Sequence, residues 1–293
     1  MTPALFRTAL TPAIWGTTYA VTTLLLPDQP VGWMVIFRVL PAGLMLLALS
    51  RRWLTWFWYG RALTLGFAIL GLTYFVFLAA YRLPGGMAGT LIATLPLQTL
   101  FYLWILRGSR PSRVQICAGL GSIVGVALLL LNALTVDLIG VLASFMACLI
   151  TFLMTLKSKD WGLPEEGIVA YVGWQLTLAG LVVAPVTYVL QGPPPEVTFN
   201  MGIAFAWIGL LGIGWASVNW LKGILLFPVT TLSFLNLVNP ITAVLCGQLL
   251  VGEAFGLRQW LGIVIILASI TLAIGIQPQT SAAIAVRPLP RRT

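Results

Sequence analysis

The sequence predicts an all-α membrane protein in which ten transmembrane helices form two inverted repeats of five helices each. Three observations lead to this prediction. The chain of 293 residues is 59% hydrophobic and only 8% charged, whereas a soluble domain carries about 25% charged residues. Apolar runs long enough to cross about 30 Å of hydrocarbon recur along the chain. The second half of the chain also repeats the pattern of the first half.

The composition excludes several classes of protein. So few charged residues could not cover the surface of a soluble enzyme of this length, and the high apolar content excludes a disordered chain. The sequence contains no histidine, the commonest general base and metal ligand, and its three cysteines lie apart within apolar runs. We therefore expect no enzymatic activity, no catalytic residue, no metal site and no cofactor.

Ten apolar runs are candidates for transmembrane helices, because about 20 residues of α-helix span the hydrocarbon. Their approximate bounds are 8–26, 31–50, 62–81, 86–106, 114–132, 138–157, 167–190, 202–224, 229–250 and 258–276. Membrane β-strands are shorter and alternate in hydrophobicity, so these continuous runs are predicted to be helices. Pro12 and Trp15 in the first run distinguish it from a cleaved signal peptide.

The basic residues lie mostly on one side of this arrangement. Of the 16 lysines and arginines, 13 fall in one set of connecting segments, whereas Arg82 and Arg258 fall in the opposite set and Arg38 lies within a span. Because cytoplasmic segments are enriched in lysine and arginine, both termini are predicted to be cytoplasmic, including the basic tail 281–293. The net charge of +9 therefore reflects membrane topology and not nucleic-acid binding, and a bacterial inner membrane fits it.

An internal repeat divides the chain into two halves, 1–135 and 136–280. When residues 70–130 are laid on 214–274 without gaps, Pro96 falls on Pro240 and the apolar runs stay in register. Since each half has an odd number of spans, the second half must be inserted in the opposite orientation. Inverted repeats are typical of transporters, whose substrate site lies near the membrane midplane between the repeats.

Two stretches of sequence resemble a known family. Residues 15–19, Trp-Gly-Thr-Thr-Tyr, are similar to the first-helix motif of EamA-type transporters in the drug/metabolite transporter superfamily. Residues 228–253 and 259–262 resemble the repeat of that family, although Ser109 stands where the family commonly has glutamate at the end of the fourth span. The resemblance implies ten spans in an inverted arrangement, and within the family it is strongest to aromatic amino acid exporters.

Candidate substrate-binding residues are polar and aromatic side chains inside the spans. Trp15 and Thr18 share one face of the first span, and hydroxyl-bearing residues repeat this spacing in the equivalent sixth span. The alternative is that these hydroxyls bond their own helix or pack between helices. The nine candidates are Trp15, Thr18, Tyr74, Tyr81, Thr94, Gln98, Asn219, Asn236 and Asn239.

Pro96 and Pro240 are candidate bending points for a conformational change. A proline has no N–H, so it leaves a carbonyl oxygen one turn earlier without its donor. In lipid that oxygen must find a partner inside the protein or face a water-filled cavity. The neighbouring amides either satisfy these carbonyls structurally or bind a substrate's ammonium and carboxylate groups together with them.

Two cations in the spans need separate explanations. Arg38 lies well inside a span, where we expect it to bind helix-end carbonyls or headgroups, with a substrate carboxylate as the alternative. Lys222 lies near the cytoplasmic end of its span and is expected to extend to the interface. All seven acidic residues fall in loops or at span ends, so we expect transport with weak or no proton coupling.

These features predict a transporter that exports amino acids, aromatic ones above all, or similar amphiphilic metabolites by alternating access. The expected partners are a small-molecule substrate and the lipid bilayer, and a monomer is consistent with the sequence. Three alternatives remain open: a multidrug exporter or a nucleotide-sugar exporter of the same fold, and a channel or lipid-handling protein. Saturable counterflow across a panel of substrates separates these classes.

Overall fold

The computed structural model describes residues 2–26, 30–82, 91, 94–130, 137–251 and 256–275. Within these ranges all regular secondary structure is helical. The helices are α1 (Pro3–Leu25), α2 (Val31–Ser50), α3 (Trp56–Arg82), α4 (Leu95–Arg107), α5 (Arg113–Leu130), α6 (Leu138–Trp161), α7 (Ile168–Gln191), α8 (Phe199–Leu226), α9 (Val229–Leu235 and Val238–Cys246, continued by a π-helical turn at Gly247–Val251) and α10 (Leu257–Gly275).

Five of these helices, α2, α3, α6, α7 and α8, are long and apolar enough to cross a membrane when the described residues alone are considered. α5 and α10 carry shorter apolar stretches, Arg113–Leu128 and Trp260–Ile274. Part of the predicted span 86–106 lies outside the described residues, as do the predicted boundary between the halves and the tail 281–293. The all-helical prediction is confirmed.

Local capping explains where two of the helices begin. α1 starts ahead of the predicted run because Thr2 caps it, its Oγ1 accepting the N–H of Leu5 at 3.4 Å. Asp137 caps α6 in the same way and accepts from the N–H groups of Ile139 at 2.7 Å and Gly140 at 3.2 Å. These backbone hydrogen bonds, that from Gly140 first, lower the pKa of the Asp137 carboxyl.

The two halves pack as equivalent units. α2 packs on α7 and α5 packs on α10, and each pair joins the helices that the sequence repeat makes equivalent. α3 packs on α6 and α7, while α8 packs on α1 and α2. Exchanging the halves therefore exchanges the packing partners, as expected for two repeats related by a two-fold axis.

Two glycines allow α2 and α7 to cross closely. A Cβ atom added to Gly43 would lie 2.6 Å from the backbone nitrogen of Thr177, and one added to Gly180 would lie 2.8 Å from the Cβ of Leu40. Each glycine thus packs on the residue three positions before the other glycine. Small residues at such crossings bring membrane helices into backbone contact. The two contacts of this crossing are therefore equivalent to each other in the two halves.

The buried apolar side chains form two main cores. One is built around the α2–α7 pair and includes the fully buried Tyr171 and Leu176. The other is built around the α5–α10 pair and includes Val126, Phe234 and Ile266. α1, α4, α6, α8 and α9 connect these cores, and most of the predicted site residues lie on these connecting helices.

Polar contacts link neighbouring helices to one another at both ends of the bundle. At one end, Nη2 of Arg107 lies 2.7 Å from Oδ1 of Asp160. At the other end, Nη1 of Arg82 lies 3.5 Å from Oδ2 of Asp137, and Nε of Arg258 donates to the carbonyl of Leu128 at 2.9 Å. The end that contains Arg107 carries most of the lysines and arginines, and we name it the basic end.

Candidate functional site

Trp15 lies where α1 meets α8. Its indole Nε1 donates to the carbonyl oxygen of Gly212 at 2.7 Å. Its ring centroid lies 5.4 Å from that of Trp220, with a tilted arrangement of the two rings. Trp15 is thus fixed at one edge by a hydrogen bond and packs against a second aromatic side chain from the other half of the chain.

A π-helical stretch in α8, Ala206–Trp215, supplies the carbonyl that binds Trp15. In this stretch each N–H bonds the carbonyl five residues earlier, and such departures from the α-helix occur frequently at functional sites. This π-helical stretch was not predicted from the sequence. The available signal was the spacing of Gly209, Gly212 and Gly214, because glycine weakens the α-helical preference of a segment.

Arg38 also binds the π-helical stretch. Its Nε donates to the carbonyl of Ile208 at 3.4 Å, and its Nη2 lies 3.4 Å from Oγ1 of Thr18. Trp207 adds a contact from α8 to α1, since its Nε1 donates to Oγ1 of Thr17 at 2.9 Å. The guanidinium of Arg38 therefore binds a carbonyl inside α8, where a helix-end carbonyl was expected, and it also contacts the candidate residue Thr18.

On α4, the candidates Thr94 and Gln98 belong to one chain of hydrogen bonds. Tyr102 donates to Oε1 of Gln98 at 3.0 Å, and Nε2 of Gln98 donates to Oγ1 of Thr94 at 2.6 Å. Thr94 in turn donates to the carbonyl of Leu91 at 2.6 Å. Gln98 is buried and Thr94 half-buried, so this chain presents a polar surface from the first half of the protein.

Asn236 and Asn239 lie at the break between the two pieces of α9. Pro240 lacks the N–H that would bond the carbonyl of Asn236, and the N–H of Asn239 bonds that oxygen instead at 3.1 Å. Both asparagines are half-buried. The backbone oxygen of Asn239 lies close to Gly16 of α1, since a Cβ atom added there would be 2.5 Å from it.

The two predicted bending points occupy equivalent places. Pro96 lies in the first turn of α4, and Pro240 lies in the first turn of the second piece of α9. Proline is tolerated best in a first turn because the N–H it lacks has no helical acceptor there. Each proline therefore marks the start of a helical segment, and its role in gating stays a prediction.

Tyr74 and Tyr81 stand apart from these contacts. Tyr74 exposes 64% of its surface, and its ring lies 5.5 Å from that of its neighbour Phe75. Tyr81 belongs to the last turn of α3, and its side chain lies outside the described part of the structure. The described contacts do not bring either tyrosine together with Trp15 or Gln98.

The hydroxyls on α6 bond their own helix. Ser144 donates to the carbonyl of Gly140 at 3.1 Å and Thr155 to that of Thr151 at 2.8 Å. Thr151 and Thr155 nevertheless face a small cavity of about 10 Å³ between α4, α6, α8 and α9. A space of this size holds about one water molecule. The helices are thus closely packed between the hydrogen-bonded residues of α4 and the basic end.

A larger cavity of about 360 Å³ opens at the basic end between α1, α8 and the segment that joins α6 to α7. The candidate Asn219 lines it and is buried, with its Nδ2 donating to the carbonyl of Trp215 at 2.9 Å. Lys222 also lines it and is exposed, as its predicted interfacial position requires.

The chemistry of the site is that of binding. Among the described residues, no group of three or more histidine, cysteine, aspartate or glutamate side chains could hold a metal ion. The described contacts form two separate sets: indoles, hydroxyls and one guanidinium from α1, α2 and α8, and the hydrogen-bonded amide and hydroxyls of α4. Such groups orient a small ligand by hydrogen bonds and aromatic contact.

Two known proteins are similar in sequence. The chain is 29% identical over 265 residues to Protein PecM of Dickeya dadantii, and the alignment covers 89% of each protein. It is 28% identical over 184 residues to the uncharacterized inner membrane transporter YicL of Salmonella typhimurium, which covers 59% of each. A solved crystal structure of a protein superposes with a TM-score of 0.77 at 20% identity, covering 92% of this chain and 98% of that one, and it supports the fold.

The model of the EamA-like transporter family matches the chain twice, at residues 3–131 and 134–275. These two ranges correspond to the two five-helix halves whose packing partners exchange, so the match and the contacts describe the same duplication. The chain therefore belongs to the EamA-like transporter family of the drug/metabolite transporter superfamily and is a membrane transporter.

Proposed function

We propose that this transporter exports amino acids, aromatic ones above all, or similar amphiphilic metabolites from the cytoplasm. The observation that carries the proposal is the meeting of Trp15 with Gly212 and Trp220, one helix from each half. An aromatic wall fixed by a hydrogen bond suits a planar apolar side chain of a substrate. Nearby amides and hydroxyls suit its ammonium and carboxylate groups.

The proposed site extends from this aromatic pair to the amides on α4 and α9. Gln98 and Thr94 contribute a hydrogen-bonded polar surface from the first half. Asn236 and Asn239 contribute half-buried amides from the equivalent place in the second half. Because equivalent segments of both halves supply polar groups, the substrate is proposed to bind on the pseudo-two-fold axis.

Alternating access follows from this arrangement. The close packing around Thr151 and Thr155 separates the hydrogen-bonded residues of α4 from the basic end. Moving one half against the other would open a path between them. The basic end is proposed to be cytoplasmic, with both termini there, in a bacterial inner membrane. Among the described residues the acidic side chains lie at helix ends or in loops, which supports transport with weak or no proton coupling.

Counterflow in proteoliposomes tests the proposal. Vesicles loaded with unlabelled L-phenylalanine should accumulate labelled L-phenylalanine transiently, because a carrier exchanges substrate whereas a channel only equilibrates it. Gln98→Ala and Asn239→Ala should each lower this flux about tenfold with folding retained, since each removes a buried or half-buried amide. Asn200→Ala, at an exposed position in the first turn of α8, is the matched control and should keep full flux.

Two outcomes would contradict the proposal. Labelled substrate that never exceeds its equilibrium level, for any amino acid tested, would exclude an amino acid carrier. Unchanged flux in both amide variants would remove α4 and α9 from the site. A strong acceleration of uptake by an imposed pH gradient would contradict the weak coupling alone.

A further inference from the structure

The cavity at the basic end has a composition that the central site does not explain. Arg7 from α1 and Lys222 from α8 both line its mouth, and both are exposed. No acidic side chain is among the described residues that line it. Two cations without a carboxylate at the same opening favour an anionic ligand.

The packing of α1 on α8 holds these cations on the same cavity. Thr8 lies in close contact with Gly223, where a side chain in place of the glycine hydrogen would collide with the threonine. Arg7 and Lys222 each precede one member of this contact by one position. The helix contact therefore fixes the backbone positions from which the two cationic side chains extend.

The rest of the cavity is suited to an apolar body. Its walls include Leu163, Ile168 and Leu225, and its volume of about 360 Å³ lies within the range of about 300 to 1,000 Å³ of small-molecule sites. Asn219 is buried among these residues with one of its N–H groups bonded to Trp215. Its side-chain oxygen can accept a hydrogen bond from an ammonium group.

The cavity also shares a candidate residue with the central site. Asn219 lines the cavity and lies in the same turn of α8 as Trp220, whose ring packs against that of Trp15. Both the cavity and the aromatic pair are formed by residues of α1 and α8.

We propose that this cavity is an access site, in which Arg7 and Lys222 bind the carboxylate of an amphiphilic substrate before it passes the Trp15–Trp220 pair. The inference rests on the proposed export from the basic end. The guanidinium of Arg7 can bind a carboxylate in a bidentate manner, and Lys222 adds a point charge. The apolar walls then hold the substrate's side chain.

Calorimetry with 3-phenylpropionate tests the site without transport. This probe carries a carboxylate and an apolar ring, and the purified full chain in an uncharged detergent should bind it. Arg7→Gln and Lys222→Gln should each weaken binding about tenfold or more, because each removes a charge-assisted hydrogen bond. Phenethylamine, which lacks the carboxylate, should not lose affinity in these variants.

Matched variants keep this test specific. Arg113→Gln removes an exposed cation at the same end that does not line the cavity, and it should leave probe binding unchanged. Leu226→Glu places a carboxylate at an exposed lining position without removing either cation, and it should weaken binding by repulsion. Full affinity in Arg7→Gln, Lys222→Gln and Leu226→Glu, or an equal loss in Arg113→Gln, would overturn the proposal.

Two further arms separate the alternatives. If phosphatidylglycerol in nanodiscs binds through Arg7 and Lys222 and displaces the probe, the cavity is a lipid headgroup site and the proposal fails.

In counterflow, the double variant should raise the KM for L-phenylalanine with little change in kcat. An unchanged KM overturns the access site but leaves the exporter intact. A wild type that binds the probe through both cations without counterflow overturns the exporter and with it the access role, while the cavity keeps its carboxylate binding.

Discussion

Arg38 on α2 and Gln175 on α7 occupy equivalent places in the two repeats. Each lies five positions before the glycine at the α2–α7 crossing, Gly43 or Gly180. Each also packs on a glycine in the third helix of the other half. A Cβ atom added to Gly209 of α8 would lie 3.1 Å from the carbonyl oxygen of Arg38, and one added to Gly66 of α3 would lie 2.8 Å from that of Gln175.

The two places differ in how their polar side chains are satisfied. Arg38 donates to the carbonyl of Ile208, which the π-helical stretch of α8 presents, and it also contacts Thr18. The side-chain Nε2 of Gln175 is buried without a hydrogen-bond partner among the described residues, and α3 is α-helical throughout. A cation is thus tolerated where the helix geometry offers carbonyls, and the repeats have diverged beside the candidate site.

The largest expected effect comes from Gln175→Arg, which places a cation opposite a regular helix. The carbonyls of α3 are engaged in its own hydrogen bonds, so the new guanidinium would be buried without a partner at a cost of several kcal/mol. We expect loss of folded protein, measured by fluorescence-detected size-exclusion chromatography. Gln175→Leu is the control and should keep or raise the melting temperature, since it removes an unsatisfied nitrogen.

A Gln175→Arg protein that melts at the wild-type temperature would contradict this explanation of the asymmetry. It would show that the α7–α3 contact accepts a cation without the carbonyls of a π-helical stretch. The position of Arg38 would then need no support from α8.

The second largest effect is expected from Arg38→Gln, which gives α2 the same residue that α7 carries at the equivalent place. The fold should survive, because α7 carries glutamine at the equivalent place. Transport should fall about tenfold or more, because Thr18 loses the guanidinium that contacts it and the site loses its cation. Counterflow and thermal melting on the same preparation separate the two properties. Arg38→Lys should retain part of the flux, whereas full flux in Arg38→Gln would exclude a role of Arg38 in transport.

The fold was predictable because its causes are distributed along the chain. Long apolar runs and the duplicated pattern of halves follow from composition and spacing, and no single residue decides them. The π-helical stretch of α8 was not predictable, because it depends on the acceptors that Trp15 and Arg38 need from a helix in the other half. Three glycines within Ala206–Trp215 permit that geometry without requiring it.

The burial of the candidate side chains was predictable on α1 and α4 and less so on α3. Trp15, Thr18, Thr94 and Gln98 have buried or half-buried surfaces and bonds to other polar groups. Tyr74 has the same helical spacing as other aromatic residues of α3, but it is exposed on the surface. Periodicity identifies a face of a helix, and only the neighbouring helices determine which face turns inward.

A third, smaller effect compares the glycines at the two places. Gly66→Ala and Gly209→Ala each add a methyl group against a backbone oxygen, and overpacking typically costs about 1–3 kcal/mol. Gly66→Ala should lower the melting temperature more, because its Cβ would lie closer to the carbonyl of Gln175 than that of Gly209 to the carbonyl of Arg38. Gly60→Ala, where an added Cβ meets nothing within 4 Å, is the control. A larger fall in melting temperature for Gly209→Ala would show that α8 accommodates the added methyl group less well than α3 does.

The smallest effect is expected from Trp15→Phe, which keeps an aromatic ring against Trp220 but removes the N–H that bonds Gly212. The freed carbonyl of the π-helical stretch loses one hydrogen bond, worth about 0.5–1.5 kcal/mol. The melting temperature should fall slightly and the KM for L-phenylalanine should rise a fewfold, because the aromatic wall is no longer fixed at its edge. Trp104→Phe, half-exposed on α4, should change neither quantity. If Trp15→Phe also leaves both unchanged, the π-helical carbonyl does not position the aromatic pair, and Arg38 alone accounts for the difference between the repeats.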